Sequence, residues 1–430
     1  MTGVPQPVGI IAGGGSLPVE VARSVTGQGG VVHVVMVEGE ASDQLRSFPH
    51  TIVNWAELGH ALKAVKRAGV KRIVFVGKMA RPSFRTAKPD FGFGFAFPKI
   101  VRALRAGGDD AVLRGVVKLF ENRGLEVVSV ADVAPELLIA DGTIGVHRPS
   151  GFDDVDIERG MALVNALGRF DIGQGAVVNG GEIEAIEGAE GTDRMLARVA
   201  HYRAGAEAAG QGAIRGGVLV KRPKPGQDLR IDLPAIGPDT VDGARIAALD
   251  GIAALSGFVL AANRLELVQR ADRNFVFITG VPGKIGEAGG DVVASRAAEP
   301  VVFGRYKLKN PDHMADVARG IDIMSTLANF NTGSALVIVD GRVLSVGTFE
   351  APEDVLARAS ALRRNKRRRC GVVVIGPREA VSEEIVTAAA SAGLSGVIIA
   401  FGDADRPPHK GPVVAHADQL GLIIAGAGLK

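Results

Sequence analysis

The chain has one cysteine, Cys370, one tryptophan and two tyrosines in 430 residues. A lone thiol excludes an internal disulfide framework and a cysteine-based zinc site. The scarcity of Trp and Tyr argues against a binder of single-stranded nucleic acid, which needs rings for bases to stack on. No apolar run reaches the ~18 residues that span a bilayer. Gly13-Gly14-Gly15 interrupts the N-terminal apolar stretch too early for a signal peptide. Charge of one sign is also missing. With 50 Lys+Arg against 47 Asp+Glu, a net of +3, nucleic acid is not an expected partner. The expectation is a soluble, cytoplasmic protein.

What is abundant is glycine, 58 residues and nearly twice the usual ~7%. Without a collagen-like period, that suggests many tight turns between short strands and helices. The length suggests about three domains at ~150 residues each. In the first 150 residues, apolar runs alternate with helical patterns. Val8–Ala12, Val31–Met36 and Arg72–Val76 read as buried strands, and Glu57–Ala68 carries Leu58, Ala61, Leu62 and Val65 at helical spacing. Residues 100–119 read as one or two helices with a break at Gly107-Gly108. Strands buried on both faces and linked by helices predict a parallel sheet, whose ligands bind at strand C-termini. Gly13-Gly14-Gly15-Ser16 stands at the first such end, where backbone N–H groups and a helix N-terminus favour phosphate. It is not G-x-G-x-x-G, because Pro18 takes the third glycine's place, and a turn that merely needs glycine is the plainer alternative. Lys78 and Arg81 follow a strand in the same way and offer two cations at the same edge, or simply a solvated loop.

The middle of the chain reads differently. A helix over Ile157–Ala166 leads to Asp171-Ile172-Gly173-Gln174, then to a hairpin turning at Asn179-Gly180-Gly181. Thr192 or Asp193 is the expected N-cap of the next helix. After the strand Gly217–Val220 comes Lys221-Arg222-Pro223-Lys224-Pro225-Gly226-Gln227-Asp228-Leu229-Arg230-Ile231-Asp232-Leu233-Pro234. Its cations suit a diphosphate, and its carboxylates suit a divalent metal or an attacking water. A structural salt-bridge loop is the alternative.

The chain also repeats itself. A shift of 160 aligns 156–200 with 316–360 without gaps, keeping Gly160/Gly320, Phe170/Phe330, Gly173/Gly333, Val177/Val337, Gly181/Gly341 and Glu190/Glu350. Further on, Gly217–Val220 matches Gly371–Val374. The polar set changes: Asp171 becomes Asn331, Gln174 becomes Ser334, and Gly191-Thr192-Asp193 becomes Ala351-Pro352-Glu353. No counterpart of Arg230-Ile231-Asp232-Leu233-Pro234 remains. The second copy reads as folded but non-catalytic, and the lost residues mark the site.

Together, Gly9-Ile10-Ile11-Ala12-Gly13-Gly14-Gly15-Ser16-Leu17-Pro18, Asp171-Ile172-Gly173-Gln174, Glu190-Gly191-Thr192-Asp193 and Lys224-Pro225-x-Gln227-Asp228-x-Arg230-x-Asp232-Leu233-Pro234-x-Ile236-Gly237 resemble the LpxI family, over about 8 to 283. These are UDP-2,3-diacylglucosamine pyrophosphatases of lipid A biosynthesis. The resemblance implies hydrolysis of UDP-2,3-diacylglucosamine to UMP and 2,3-diacylglucosamine 1-phosphate, with a divalent cation such as Mg2+. Asp232 falls on the family's essential aspartate, and Asp228 joins it as a candidate metal ligand. Gly14, Gly15, Ser16, Lys78, Arg81, Gln174, Thr192, Asp193, Lys221 and Lys224 are the candidate substrate-binding residues. The fold class expected is α/β. A Rossmann-like nucleotide domain (1–150) precedes an α/β catalytic domain (151–283), a linker (284–310) and a degenerate copy of the catalytic domain (311–430). A homodimer is the expected assembly. Two other readings stay open: a nucleotide-sugar oxidoreductase using Gly13–Gly15 with Glu38, and a non-enzymatic nucleotide- or lipid-binding scaffold.

Arg363-Arg364-Asn365-Lys366-Arg367-Arg368-Arg369 puts six cations in seven residues. It aligns roughly with Arg203–Ala209, which carries no such cluster, so it reads as a surface feature and not inherited packing. A basic cluster gains ~1 kcal/mol per residue close to an anionic membrane surface, and the implied substrate is a lipid. The chain is therefore expected to co-sediment with anionic liposomes and to be released by salt, as a peripheral protein of the inner membrane. Liposomes left unbound would exclude that docking.

Overall fold

A computed structural model describes residues 7–79, 109–286, 300–363, 368–402 and 411–429. The first sheet is β1 (Val8–Ala12), β2 (Val32–Val37), β3 (His50–Val53), β4 (Arg72–Val76) and β5 (Glu126–Val127). Its order is β3-β2-β1-β4-β5, and all neighbours are parallel. Valine and isoleucine fill these strands because both faces are covered. The helix Leu58–Arg67 turns Ala61, Leu62, Ala64 and Val65 inward, a stripe set by the helical period. Strand order reverses between β1 and β4, so their C-terminal ends frame a crevice. A helix spans Asp109–Glu121. The break expected at Gly107-Gly108 lies outside the described residues.

Two six-stranded sheets follow. The second comprises β6 (Gly142–Ile144), β7 (Gly175–Asn179), β8 (Glu182–Ile186), β9 (Val218–Lys221), β11 (Gly251–Leu255) and β13 (Phe277–Val281); β10 (Ala235–Ile236) pairs separately with β12 (Leu260–Ala261). The third comprises β14 (Val301–Val302), β15 (Ala335–Val339), β16 (Arg342–Val346), β17 (Val372–Ile375), β18 (Gly396–Phe401) and β19 (Ile423–Gly428). Their orders are β6-β13-β11-β9-β7-β8 and β14-β19-β18-β17-β15-β16. Position by position, the same neighbours are parallel and the same are antiparallel. In both, the hairpin carries a register shift midway. The two hairpin turns put both central residues at positive φ, Gly180 (57°) and Gly181 (80°), Asp340 (49°) and Gly341 (76°), the type I′ geometry that matches strand twist. Asp156 accepts from both turn amides at 2.9 and 2.6 Å, and Asp316 accepts from Gly341 at 2.7 Å. Each sheet begins with an antiparallel edge strand, β6 or β14, upstream of where the sequence boundaries at 150 and 310 put it.

The helices Gly151–Gly168 and Pro311–Ala328 each lie on their own sheet, yet one hydrophobic cluster holds Leu163, Val164 and Leu167 together with Val317, Ile321 and Met324. The first and second sheets are joined as well. Leu260 is buried in the first sheet's core, and the Glu20 carboxylate accepts from the Asn263 amide at 3.0 Å.

The basic run departs from expectation. Arg363 is buried and donates to the Ala392 and Arg368 carbonyls at 2.8 and 2.7 Å. Its equivalent under the shift of 160, Arg203, is also buried and donates to the Ala247 and Gly216 carbonyls. Arg363 is thus packed as Arg203 is and is not a surface cation, contrary to the sequence reading. Arg369 is engaged too, on the Leu420 carbonyl. Residues 364–367 lie outside the described residues, and a docking variant should leave Arg363 and Arg369 unchanged. Arg203 further grips Glu184 with two nitrogens at 2.9 and 2.7 Å, both residues being buried. Removing one partner of a buried pair leaves an uncompensated charge, so Arg203→Ala is expected to destabilise by roughly 3–5 kcal/mol in denaturant unfolding. A loss under about 1 kcal/mol would show that water replaces the guanidinium.

Candidate active site

The glycine loop sits at the reversal of strand order. Gly14 and Lys78 exchange backbone hydrogen bonds at 2.6 and 2.9 Å, which ties the β1 end to the β4 end. A Cβ at Gly13 would meet the Lys78 carbonyl at 2.5 Å, so the close approach requires glycine. Gly15 has φ +93° and nothing within 4 Å of a Cβ position. The loop is open at the residue where an anion would meet backbone. Ser16 precedes the helix Leu17–Gly27 without a side-chain cap bond. Arg81 lies outside the described residues. Glu38, expected to hold a ribose in the oxidoreductase reading, follows β2 and accepts from the Asn54 side chain at 3.2 Å.

The second sheet gathers the other candidates at the C-terminal edge of its parallel strands. Lys221 ends β9 and faces Gly175 across the ladder. Its ammonium is buried, 3.3 Å from Glu187, and also holds the Thr192 hydroxyl, which donates to Glu187 at 3.1 Å. Neither Thr192 nor Asp193 caps its helix. The cap position is Gly191, without a side-chain bond, and Thr192 begins the helix Thr192–Ala208. The positive φ of Gly191, 83°, makes that sharp entry, and frees Thr192 for Lys221. Asp193 is exposed in the first turn.

From Lys221 the chain enters the long loop. The Arg222 amide donates to the Gln174 carbonyl at 2.9 Å. Gln174 reaches Gln227 at 3.0 Å, and Gln227 donates to the Asp232 carbonyl at 2.7 Å and to its carboxylate. Lys224 pairs with Asp171. The far side of the loop rests on the first sheet: Ser129 donates to the Leu229 carbonyl at 3.2 Å, and Arg230 pairs with Glu121 at 2.7 Å. Leu17 and Leu233, neighbours of Ser16 and Asp232, pack against one cluster. Gln174, Lys224 and Asp232 therefore meet at Gln227, whose side-chain oxygen also accepts from the Lys224 amide at 3.0 Å, while Lys221 and Thr192 form a second cluster with Glu187 next to it, and the loop bridges two sheets.

The salt-bridge reading of the loop accounts for Lys224, Asp228 and Arg230. Arg230 grips both Asp228 oxygens at 2.8 and 2.7 Å, and its hydrogen bonds to Asp228 and then to Glu121 raise its pKa. A guanidinium across Asp228 stands where a divalent cation would have to sit, so Asp228 does not fit a metal ligand. Asp232 does fit, since Mg2+ commonly takes one or two carboxylates and completes its shell with water and substrate phosphate. Among the described residues no group of three His, Cys, Asp or Glu forms a cage.

Sequence reasoning missed Glu187 as a partner of Lys221. The signal was present: a shift of 160 places Gly347 opposite Glu187, and the strand alignment places Ile375 opposite Lys221. The registers agree, because Lys221 pairs with Gly175 and Ile375 with Ala335. The scaffold around them persists. The Gly376 amide donates to Ser334 as Arg222 does to Gln174, and Arg378 bonds Asn331 as Lys224 bonds Asp171.

Residues 7–137 match the model of the LpxI N-terminal domain, and residues 140–279 that of the LpxI C-terminal domain. A Caulobacter vibrioides protein named UDP-2,3-diacylglucosamine pyrophosphatase LpxI is 37% identical over 276 residues, covering 64% of this chain and 98% of that relative. The chain belongs to the LpxI family. A solved murein peptide ligase from Psychrobacter arcticus overlaps 98% of this chain and 90% of its own at 11% identity, and its TM-score of 0.20 carries no argument. The glycine loop and the Asp232 network both fall inside the LpxI-matched residues. Gly15→Val is expected to weaken UMP binding in calorimetry. It should also lower the melting temperature modestly, because a β-branched residue at positive φ stores about 1–3 kcal/mol. Undiminished UMP affinity alongside that thermal loss would reduce the loop to a plain turn.

Proposed function

We propose that this chain hydrolyses the diphosphate of UDP-2,3-diacylglucosamine, releasing UMP and 2,3-diacylglucosamine 1-phosphate for lipid A biosynthesis. What carries this is the match to the Caulobacter pyrophosphatase over nearly its whole length, joined to a charged network of the kind that chemistry needs. The open glycine loop Gly14–Ser16, with Lys78 beside it, would take nucleotide phosphate through backbone N–H groups. Lys221 and Lys224 would neutralise charge developing on the diphosphate as the bridging bond breaks. Gln174 and Thr192 would orient the phosphates from the second sheet, joined by the backbone N–H of Asp193 in the first turn of its helix. Asp232, held by Gln227, would be the carboxylate that positions the attacking water at the sugar-side phosphorus. Mg2+, bound through Asp232 and the substrate phosphates, would supply additional charge stabilisation.

Residues 311–430 are, in this proposal, a duplicate of the catalytic unit that has lost its site. Lys221, Glu187, Thr192 and Gln174 are there replaced by Ile375, Gly347, Pro352 and Ser334. No described helix is long and apolar enough to cross a membrane. A cytoplasmic enzyme meeting its lipid substrate at the inner membrane surface suits the exposed Arg368, which belongs to a run rich in cations in the sequence.

Asp232→Ala is expected to lower kcat by about 10²–10⁴-fold, the range for a lost acid–base group, while UMP binding and the melting temperature hold. UMP release from the diacylated substrate, with and without Mg2+, is the assay. A variant keeping more than about a tenth of wild-type turnover would be too active for that range and would make Asp232 structural.

A further inference from the structure

The second and third sheets touch reciprocally. Arg159 donates to the Phe330 carbonyl at 2.7 Å, and Arg319 donates to the Phe170 carbonyl at 2.5 Å. Under the shift of 160, Arg159 and Arg319 are equivalents, as are Phe170 and Phe330. Arg198 reaches Glu350 at 2.9 Å, and its equivalent Arg358 lies 3.9 Å from Glu190. Each arginine also holds its own unit's glutamate, Arg198 with Glu190 at 3.1 Å and Arg358 with Glu350 at 2.5 Å. A contact in which i meets j while j meets i is the mark of a two-fold, isologous interface. Here both halves belong to one chain.

What the two halves share is informative. The arginines, glutamates and phenylalanines at the contact are the same on both sides, whereas the residues of the charged network are not. The third unit has also gained Thr348 where the second has Gly188, and its hydroxyl donates to the Glu184 carbonyl at 2.7 Å. These contacts surround one segment. Glu187 and Thr192, the partners of Lys221, flank Glu190, which sits between Arg198 and Arg358.

We propose that residues 300–429 act as a partner subunit fused in cis, which occupies the two-fold face of the catalytic unit and braces the segment Glu187–Thr192. Thr348, Glu350 and Arg358 are its positioning residues. They touch no reacting group, and act through Glu184, Arg198 and Glu190. The homodimer expected from the sequence is then not needed at this face.

The test is amide hydrogen exchange on the full chain, read with steady-state kinetics. Glu350→Lys puts three cations on one remaining glutamate at the contact. It is expected to speed exchange over 186–193 at least about tenfold (some 1.4 kcal/mol of lost protection), with β17 and the first sheet protected as in wild type. kcat should fall by a similar factor with KM nearly constant, and Glu350→Gln, which keeps an acceptor, should recover part of both. If Glu350→Lys does not fold, Thr348→Val and Arg358→Lys are read in the same way. Unchanged exchange over 186–193 would overturn the proposal. The kinetic arm alone rests on the hydrolase reading: a wild type that releases no UMP would refute that reading, while faster exchange in the variant would still uphold the brace.

Discussion

The close approach of two helices to their sheets governs the rest of this molecule. A Cβ at Gly160 would sit 2.6 Å from Val220, and one at Gly320 would sit 2.5 Å from Val374. Both helices are pressed onto the central strand of their unit, β9 or β17, and each leaves an outer apolar stripe. The stripes cover each other in one continuous core. Burial of that area is the main favourable term holding the units together, and the arginines at its rim satisfy carbonyls left at the helix C-terminal turns. Because interiors pack densely, such a contact fixes the angle between the sheets. It also fixes where the C-terminal end of β9 points.

On that frame the charged network is an energetic burden. Lys221 and Glu187 are both largely withdrawn from water, and an ion pair of that kind often stabilises no better than apolar residues of similar volume. The third unit supplies the comparison internally. At the same ladder position it has Ile375, and at the other corners Gly347 and Pro352, with strand order and hairpin unchanged. Folding therefore does not require the charges. Their presence beside Gln174, Gln227 and Asp232 is what the proposed diphosphate chemistry would need.

Much of the architecture was legible in the sequence because its signals are local. Strand Arg72–Val76 and the return strand Glu182–Ile186 have the expected bounds, since a buried run and a two-glycine turn mark them directly. The shift of 160 foretold the matching strand orders. What stayed hidden depended on long-range pairing. Glu187 looks like an ordinary strand-end carboxylate, and only folding brings Lys221, 34 residues away, against it. Thr192 has the chemistry of a cap, but Gly191 at positive φ makes the turn and releases the hydroxyl. Arg363 looks like one of a row of surface cations, although its equivalence to Arg203 was written in the same alignment. Asp228 resembles a metal ligand until Arg230, two residues on, folds back over it.

A partner fused in cis changes what selection can tolerate in each half. Two copies joined by a linker meet at an effective concentration in the millimolar range, so the two-fold contact persists however dilute the protein. In a true homodimer every substitution appears twice, and a residue needed for chemistry cannot be lost from one side alone. Fusion removes that constraint. One half can exchange a buried ion pair for isoleucine, glycine and proline and keep its contact residues. The other keeps the charges and receives support at the segment that carries them. The proposed fusion would account for a polar edge that is reduced in only one of two matched sheets, and for the presence of Arg319, Phe330, Glu350 and Arg358 in the half that lacks it.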